Sequence, residues 1–210
     1  WLDQGVDGFR LDAINYLYAD KELRNNPLEG ISQVHVSDRN HRNIHRILKR
    51  LRGIADSYGE IMMVGEVFPG DTMESKEYHG VNHDELQLTF NFSFSTLPEN
   101  TRWYDGESKA SGINFGNSGE WDRSFSVPEF RRLLENYDTV YSALDLWPTV
   151  VMGNHDQPRI HSIYREFVSE NNADEMAKLI ATYELTAKGT PFLYYGEEIG
   201  MENMRFSSVD

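Results

Sequence analysis

VDGFRLD at residues 6–12 and IMMVGEV at residues 61–67 decide the fold, because each is a short apolar run with a carboxylate at or near its end. Three later runs have a similar form: LQLTFNF (86–92), PTVVMGNHD (148–156) and PFLYYGE (191–197). Their β-branched and aromatic content and their Gly or Pro borders favour strands over buried helices. We therefore predict five short strands.

Segments with helical periodicity lie between these strands. Apolar spacing predicts helices over residues 14–23 and 40–58. The capping boxes SVPE (126–129) and NADE (172–175) predict two more, which end near residue 143 and near Gly189. Strand and helix in alternation indicate βαβ units around a parallel sheet. The chain has no evident linker or internal repeat and is interpreted as one domain or part of one.

Two stretches, residues 25–38 and residues 97–121, show no regular pattern and are predicted to be long loops. The chain also starts inside a strand-like run, without Met and without the features of a signal peptide. From this start we expect a segment cut from a longer chain.

Composition narrows the class of partner. The net charge is −14, from 20 basic and 34 acidic residues, which argues against nucleic acid. The basic stretch 41–52 is interpreted as the solvated face of a helix whose Ile44, Ile47, Leu48 and Leu51 turn inward. No apolar run approaches the roughly 18 residues of a membrane span, so no membrane contact is expected. The absence of cysteine excludes disulfides and is compatible with a reducing cytoplasm.

Arg10 and Asp12 lie two residues apart near the end of the first predicted strand. Side chains alternate along a strand, so both point to one face. The guanidinium would favour the ionised carboxylate and lower its pKa, as a nucleophile requires. A structural ion pair is the alternative, and it is the better interpretation of this motif taken alone.

Glu66 ends the second predicted strand, after the apolar residues 61–64. Apolar surroundings raise the pKa of a carboxyl group, which suits a general acid that holds its proton near neutral pH. A solvated Glu just beyond the sheet explains this motif equally well.

The fourth predicted strand leads into NHDQPR at residues 154–159, a dense set of side chains that can hydrogen-bond hydroxyl groups. Adjacent His155 and Asp156 rarely ligate one ion, so a metal site is disfavoured, and a polar loop of no special function is the other alternative. Retaining glycoside hydrolysis needs a nucleophile and an acid/base about 5 Å apart. Asp12 and Glu66 could supply that pair, and Asp156 could bind sugar hydroxyl groups.

GFRLDA (8–13), GEV (65–67) and NHDQPR (154–159) resemble three conserved segments of the α-amylase family of glycoside hydrolases, family 13. LQLTFNF (86–92) and GTPFLYYGEEIGM (189–201) are similar to its α-glucosidase and oligo-1,6-glucosidase branch. The resemblance spans essentially the whole chain, and its motifs follow the order that the family has.

The resemblance implies an α/β fold, namely a (β/α)8 TIM barrel of which residues 1–210 supply the last five βα units as a partial catalytic domain. The upstream strands, the lid domain and the C-terminal β-sandwich would lie outside this segment. Any calcium site of the family would lie upstream too, so no cofactor is expected within it. An incomplete barrel exposes two sheet edges and much apolar surface, and the isolated segment is therefore expected not to be stably active.

The resemblance also assigns roles to six residues: Asp12 as nucleophile, Glu66 as acid/base, Asp156 as transition-state stabiliser, Arg10 as positioning partner of the nucleophile, His155 as a ligand of sugar hydroxyls, and Arg159 as a contact to the terminal glucose unit. The small Ala13 after the nucleophile resembles the form that prefers α-1,4 linkages.

The implied activity is retaining hydrolysis of short α-1,4-linked, or α-1,6-linked, gluco-oligosaccharides through a covalent glucosyl-enzyme intermediate. A small oligosaccharide is thus the expected partner. A glucosyl isomerase or transferase similar to trehalose synthase would use the same carboxylates with water excluded. A third alternative is a non-catalytic ectodomain similar to transporter heavy chains, against which the three carboxylates weigh.

Overall fold

The computed structural model describes residues 1–30, 32–67, 72–92, 94, 127–165 and 167–204. Its strands are β1 (Gly8–Leu11), β2 (Leu28–Glu29), β3 (Ser32–Gln33), β4 (Met62–Glu66), β5 (Leu88–Phe90), β6 (Thr149–Val150) and β7 (Thr190–Pro191). Its α-helices are α1 (Asn43–Asp56), α2 (Thr72–Glu77), α3 (Val127–Ala143), α4 (Ile160–Arg165) and α5 (Ala173–Thr186), and short 3-10 turns occur at Leu2–Gln4, Ile14–Tyr16, Glu170–Asn172 and Glu197–Ile199.

The chain divides into two compact units. The first comprises Trp1–Asn91 and Val140–Thr149, and the second comprises Phe92–Thr139 and Val150–Asp210. The assignment of residues 1–210 to one partial catalytic domain stays a prediction.

The first unit contains a parallel sheet in the order β1-β4-β5, as strand–helix alternation predicted. Gly8 pairs with Met62 and Leu11 pairs with Gly65, while Glu66 pairs with Phe90 on the other side of β4. A core of apolar side chains packs beneath the sheet; its members include Ile14, Ile44, Leu48, Met63, Val67 and Leu86. The carboxyl ends of β1 and β4 therefore meet at one edge.

Helix α1 buries Ile44 and Leu48 as predicted, but the prediction for Leu51 is wrong, because that side chain is 37% exposed. Arg52 takes the buried position on this face. Its Nη1 donates to the Ile61 carbonyl at 3.1 Å and its Nε donates to Asp56 at 2.7 Å. The long stem can cover apolar surface while the guanidinium satisfies a strand-end carbonyl.

The predicted helix over residues 14–23 is wrong beyond its first turn. Ala13 adopts a left-handed conformation, and only Ile14–Tyr16 forms a 3-10 turn. The following backbone pairs with a distant loop: Asp20 N–H donates to the Ser37 carbonyl, and the Asn15 carbonyl accepts from Asn40 N–H, both at 2.8 Å. These contacts replace the i to i+4 bonds that a helix would need.

Other predicted boundaries also change. The loop predicted at residues 25–38 contains the antiparallel pair β2–β3. The last two predicted strands are shorter in the structure and form the pair β6–β7. A hydrogen bond lies beyond β7, from Phe192 N–H to the Val150 carbonyl at 2.9 Å. The NADE box is wrong as a side-chain cap, since Asn172 ends a 3-10 turn and makes no such bond. Ser126 and the loop predicted at residues 97–121 lie outside the described residues.

The second unit holds helices α4 and α5 and a cluster of aromatic rings. Phe94 lies 5.5 Å from Tyr137 and 5.6 Å from Tyr183, measured between ring centroids. Phe130 completes the cluster at 5.2 Å from Tyr183. The Phe94–Tyr137 and Phe130–Tyr183 pairs are edge-to-face, and such contacts add to the free energy gained by burying aromatic area.

No helix in the described part of the chain combines the length and the apolar character needed to cross a membrane.

Candidate active site

The register of the parallel sheet brings Asp12 and Glu66 together. Arg10 pairs with Val64 and Leu11 with Gly65, so one further step along both strands sets Asp12 opposite Glu66. Gly65 permits close packing at this point, since a Cβ there would lie 2.5 Å from Ile14 Cδ1 and from Leu86 Cδ1. The strand ends and their packing thus fix the position of both carboxyl groups.

The Arg10 guanidinium joins the two carboxyl groups. Its Nη1 donates to Asp12 Oδ1, and its Nη2 donates to Glu66 Oε2 at 2.6 Å. The predicted placement of Arg10 and Asp12 on one face is therefore confirmed. A single fork that holds two carboxylates sets their spacing, because both N–H groups belong to one rigid plane.

Asp12 and Glu66 differ in their exposure to solvent. The Asp12 side chain is 78% exposed, whereas that of Glu66 is 9% exposed. Burial of Glu66 is thus confirmed over the alternative of a solvated residue beyond the sheet. Burial raises the pKa of Glu66, and a hydrogen bond with Asp12 raises it further, while the Ala13 N–H and the Arg10 charge act to lower it. The net direction is upward, as a general acid requires.

Ala13 contributes a backbone donor to this pair. Its left-handed conformation, at φ 40°, turns its N–H toward Glu66 Oε2 at 3.3 Å. A non-glycine residue in this region is uncommon and carries a strain cost. The strained turn therefore directs the chain away from β1 immediately after Asp12.

His155 and Asp156 lie in the second unit, in the turn that follows β6. Their side chains are 63% and 60% exposed, and His155 Nε2 lies 3.2 Å from Asp156 Oδ2. The turn is shaped by Asn154, whose Oδ1 accepts the Asp156 N–H at 2.9 Å. Two exposed polar groups side by side can hydrogen-bond a polar ligand.

Arg159 is held by a pair of tyrosines. Its guanidinium carbon lies 4.6 Å from the centroids of both the Tyr194 and Tyr195 rings, and Nη1 donates to the Tyr195 carbonyl. Its own N–H donates to Asn203 Oδ1 at 2.8 Å. Cation–π contacts and hydrogen bonds together restrict the Arg159 side chain to one direction.

Sequence reasoning missed the part that Tyr194, Tyr195 and Asn203 play around Arg159. The adjacent tyrosines in LYYGEE were visible in the sequence. The partner of an aromatic ring depends on tertiary packing, however, and periodicity does not report it. Among the described residues no group of three or more His, Asp or Glu side chains could hold a metal ion.

Carboxyl groups paired at the ends of parallel strands are the arrangement that glycoside hydrolases with (β/α) barrels use. The chain belongs to the alpha-amylase family, since the model of its catalytic domain matches residues 1–210. The family resemblance predicted from the sequence is thereby confirmed.

Relatives in this family support the same placement. Oligo-1,6-glucosidase of Bacillus cereus is 35% identical over 214 residues, which cover 100% of this chain and 35% of that protein. Trehalose-6-phosphate hydrolase of Bacillus subtilis is 28% identical over 212 residues, which cover 100% of this chain and 34% of that protein. The chain thus spans about a third of the length of the curated relatives that it matches.

A solved structure extends the likeness to the fold. The crystal structure of Bacillus licheniformis trehalose-6-phosphate hydrolase superposes with a TM-score of 0.77 at 25% identity, covering 100% of this chain and 34% of that one. The fold is consistent with part of a (β/α) barrel, as predicted. The count of five βα units stays a prediction.

Proposed function

We propose that this chain carries the catalytic carboxyl groups of a retaining α-glucoside hydrolase that acts on short gluco-oligosaccharides. The observation that carries the proposal is the Arg10 guanidinium, which joins an exposed Asp12 to a buried Glu66. A retaining glycosidase needs one carboxylate that attacks and a second carboxyl group that donates a proton. The different environments of Asp12 and Glu66 suit these two roles.

In the first step, an Asp12 oxygen attacks the anomeric carbon while Glu66 gives its proton to the glycosidic oxygen. The bond from that carbon to the leaving sugar breaks, and a glucosyl ester on Asp12 forms. In the second step, Glu66 removes a proton from water, and the water oxygen attacks the anomeric carbon. Asp12 leaves as a carboxylate, glucose is released with its original configuration, and Glu66 is protonated again.

The family resemblance assigns three residues of the NHDQPR segment to sugar binding. We assign Asp156 to hydroxyl groups of the distorted ring and His155 to a neighbouring hydroxyl. Arg159, whose direction is restricted by Tyr194 and Tyr195, is assigned to the terminal glucose unit. The assignments rest on the NHDQPR motif, and the exposure of His155 and Asp156 is compatible with them.

The linkage proposal concerns Ala13, which follows Asp12 directly. We propose a preference for α-1,4 over α-1,6 linkages, because a small side chain here resembles the α-1,4 form. Oligo-1,6-glucosidases among the relatives make the opposite preference the natural competitor. A kcat/KM for isomaltose above that for maltose would refute the preference and leave the hydrolase proposal intact.

The central test uses the full-length enzyme with p-nitrophenyl α-glucoside and maltose. Asp12→Ala is expected to lower kcat by about 10⁴-fold or more, as loss of a nucleophile does in other covalent mechanisms. Asp7→Ala is the matched control, since Asp7 is exposed and precedes β1 at the opposite end from Asp12. The control should retain wild-type turnover.

The fate of the product separates this proposal from its competitors. Proton NMR of the first turnovers should show α-glucose, and β-glucose would rule out retention. Trehalose formed from maltose would instead indicate the isomerase alternative. Retained hydrolysis in Asp12→Ala would remove Asp12 as the nucleophile.

A further inference from the structure

A buried carboxyl group lies beside the segment that carries Asp156 and Arg159. Glu197 is 8% exposed and begins the 3-10 turn Glu197–Ile199. Its Oε2 accepts the Tyr194 N–H at 2.8 Å, and its backbone carbonyl accepts from His161 Nε2 at 3.1 Å. Its Oε1 is buried without a hydrogen-bond partner among the described residues. A buried carboxyl group with a spare oxygen is costly to keep unless the position serves a purpose.

The spare oxygen of Glu197 points at Gly153. A Cβ built on Gly153 would lie 2.5 Å from Glu197 Oε1, and the next nearest side chain, Ile160, would be 4.0 Å away. Gly153 has no positive φ, so its backbone accepts other residues. The absence of a side chain at this position is therefore required by the Glu197 carboxyl group and by little else.

Gly153 directly precedes the NHDQPR segment, and the loop around Glu197 is tied to the other end of that segment as well. Arg159 Nη1 bonds the Tyr195 carbonyl, and Arg159 lies against the Tyr194 ring. Tyr194 is the residue whose N–H the Glu197 carboxylate accepts. The loop around Glu197 thus lies close against the start of the segment at Gly153 and is bonded to its end at Arg159.

We propose that Glu197 is a positioning residue that fixes the segment from Gly153 to Arg159 and thereby the direction of Asp156 and Arg159. The inference rests on the proposed function, because Asp156 and Arg159 matter to turnover only if they bind the sugar. Because Glu197 is buried, this role requires no contact between Glu197 and the substrate. It acts through its contact with Gly153 and through the Tyr194 N–H, which holds the tyrosine beside Arg159.

The test is a double-mutant cycle in the full-length enzyme with p-nitrophenyl α-glucoside. Gly153→Ala and Glu197→Ala should each lower kcat by about 10- to 100-fold, since displacement of a substrate-positioning group by about 1 Å costs on that order. KM should change far less than kcat, because Asp156 acts mainly in the transition state. The double variant should be no slower than Glu197→Ala, since without the carboxylate a Cβ at residue 153 has room.

Glu197→Gln provides the conservative rescue. Its amide oxygen can still accept the Tyr194 N–H and its shape is unchanged, so kcat should stay within a few-fold of wild type. Gly53→Ala is the matched glycine control, since nothing lies within 4 Å of a Cβ there. Thermal midpoints of all variants, measured beside kcat, separate a fall in turnover from a fall in stability.

The outcomes distinguish the two proposals. An inactive wild-type enzyme would refute the proposed function. An active wild type with an unchanged kcat in Glu197→Ala, or losses that multiply in the double variant, would refute the positioning role alone. If Glu197→Ala does not fold, Gly153→Ala decides the question, and an unchanged kcat in that variant would overturn the proposal.

Discussion

The two units treat their buried carboxyl groups differently. In the first unit, Glu66 is buried but shares the Arg10 guanidinium with Asp12. In the second unit, Glu184 and Glu197 are buried near each other; the Arg159 charge acts to lower the pKa of Glu197, whereas no cation among the described residues opposes the rise in the pKa of Glu184. Burial without a cation raises the pKa of Glu184 to about 8, and the charge of Glu197 adds to this rise.

The pKa of Glu66 is therefore subject to opposing influences, whereas that of Glu184 is raised by burial with no cation in the described part of the chain to oppose it. Glu66 has opposing influences, since burial raises its pKa and Arg10 lowers it. Such a balance suits a group that must both give and take a proton within one catalytic cycle. Glu184 has no comparable opposing charge, and at neutral pH its neutral form predominates. Burial alone is thus a poor indicator of catalysis, because it leaves Glu184 neutral but leaves Glu66 balanced between burial and the Arg10 charge.

Within this comparison, removal of the Arg10 guanidinium should have the largest effect. We expect Arg10→Ala to lower kcat by about 10²- to 10³-fold, the usual cost of removing a preorganised donor. Without the guanidinium the pKa of Glu66 should rise further, so the alkaline limb of the kcat/KM profile should move to higher pH. Arg10→Lys keeps the positive charge but loses the forked pair of N–H donors, so its kcat should lie between those of wild type and Arg10→Ala. If the alkaline limb of Arg10→Ala stayed at the wild-type pH, the claim that Arg10 lowers the pKa of Glu66 would be contradicted.

The buried Glu184 should affect stability next most strongly. Its folded pKa of about 8 exceeds its ordinary value of 4.5, so between these values the folded state holds a proton that the unfolded state has lost. Stability must therefore fall as pH rises from about 5 to 8, by on the order of 3 kcal/mol. Glu184→Gln removes this dependence.

Thermal midpoints of the full-length protein between pH 5 and pH 8 measure the Glu184 prediction. The gain of Glu184→Gln over wild type should grow with pH. Glu60→Gln is the control, because Glu60 is exposed, and its pH dependence should match the wild type. Parallel curves for Glu184→Gln and wild type would show that Glu184 is not held neutral.

His79 in the first unit should give stability a pH dependence opposite in sign to that of Glu184. Burial lowers the pKa of His79 to about 4 from its ordinary 6.5, and His83 contributes to the same direction. Between these values the unfolded state binds a proton that the folded state does not. Stability should therefore be lost as pH falls from about 6.5 to 4.5, by on the order of 2 kcal/mol.

His79→Gln keeps a polar side chain beside Thr89, whose Oγ1 lies 3.2 Å from His79 Nε2, and it cannot titrate. Urea midpoints at pH 7 and at pH 4.5 are the measurement. On acidification, the urea midpoint of His79→Gln should fall less than that of wild type. His83→Gln, at an exposed position, is the control, and its midpoint should fall nearly as much as that of wild type. Equal losses for His79→Gln and wild type would contradict the assignment.

The placement of the strand-end residues was predictable from sequence because it depends on local rules. A period of two places Arg10 and Asp12 on one face, and an apolar run before Glu66 predicts its burial. The parallel register then brings Asp12 and Glu66 together, since both follow their strands at the same edge. Local spacing and chain order were enough for these residues.

Features that depend on tertiary packing were not predictable. Helical spacing in residues 14–23 was overridden by bonds from Asp20 and Asn15 to a loop some 20 residues away. Glu184 occupies an ordinary polar position in the sequence of α5, and its burial follows from what packs against that helix. Likewise, no single-sequence signal relates Gly153 to Glu197, which lie 44 positions apart.

The smallest expected effect is that of Gly53→Ala, which tests whether a Cβ is harmful at Gly153 in particular or at any glycine. Gly53 lies in α1, is exposed, and has nothing within 4 Å of a Cβ. Glycine in a helix interior is less stable than alanine by roughly 0.5–1 kcal/mol, because more backbone entropy is lost on folding. Gly53→Ala should therefore raise the thermal midpoint slightly and leave kcat unchanged, whereas Gly153→Ala should lower kcat. Both kcat and the thermal midpoint are measured on the same preparation of each variant. An unchanged kcat in both Gly53→Ala and Gly153→Ala would show that the close approach of Glu197 to Gly153 has no effect on turnover.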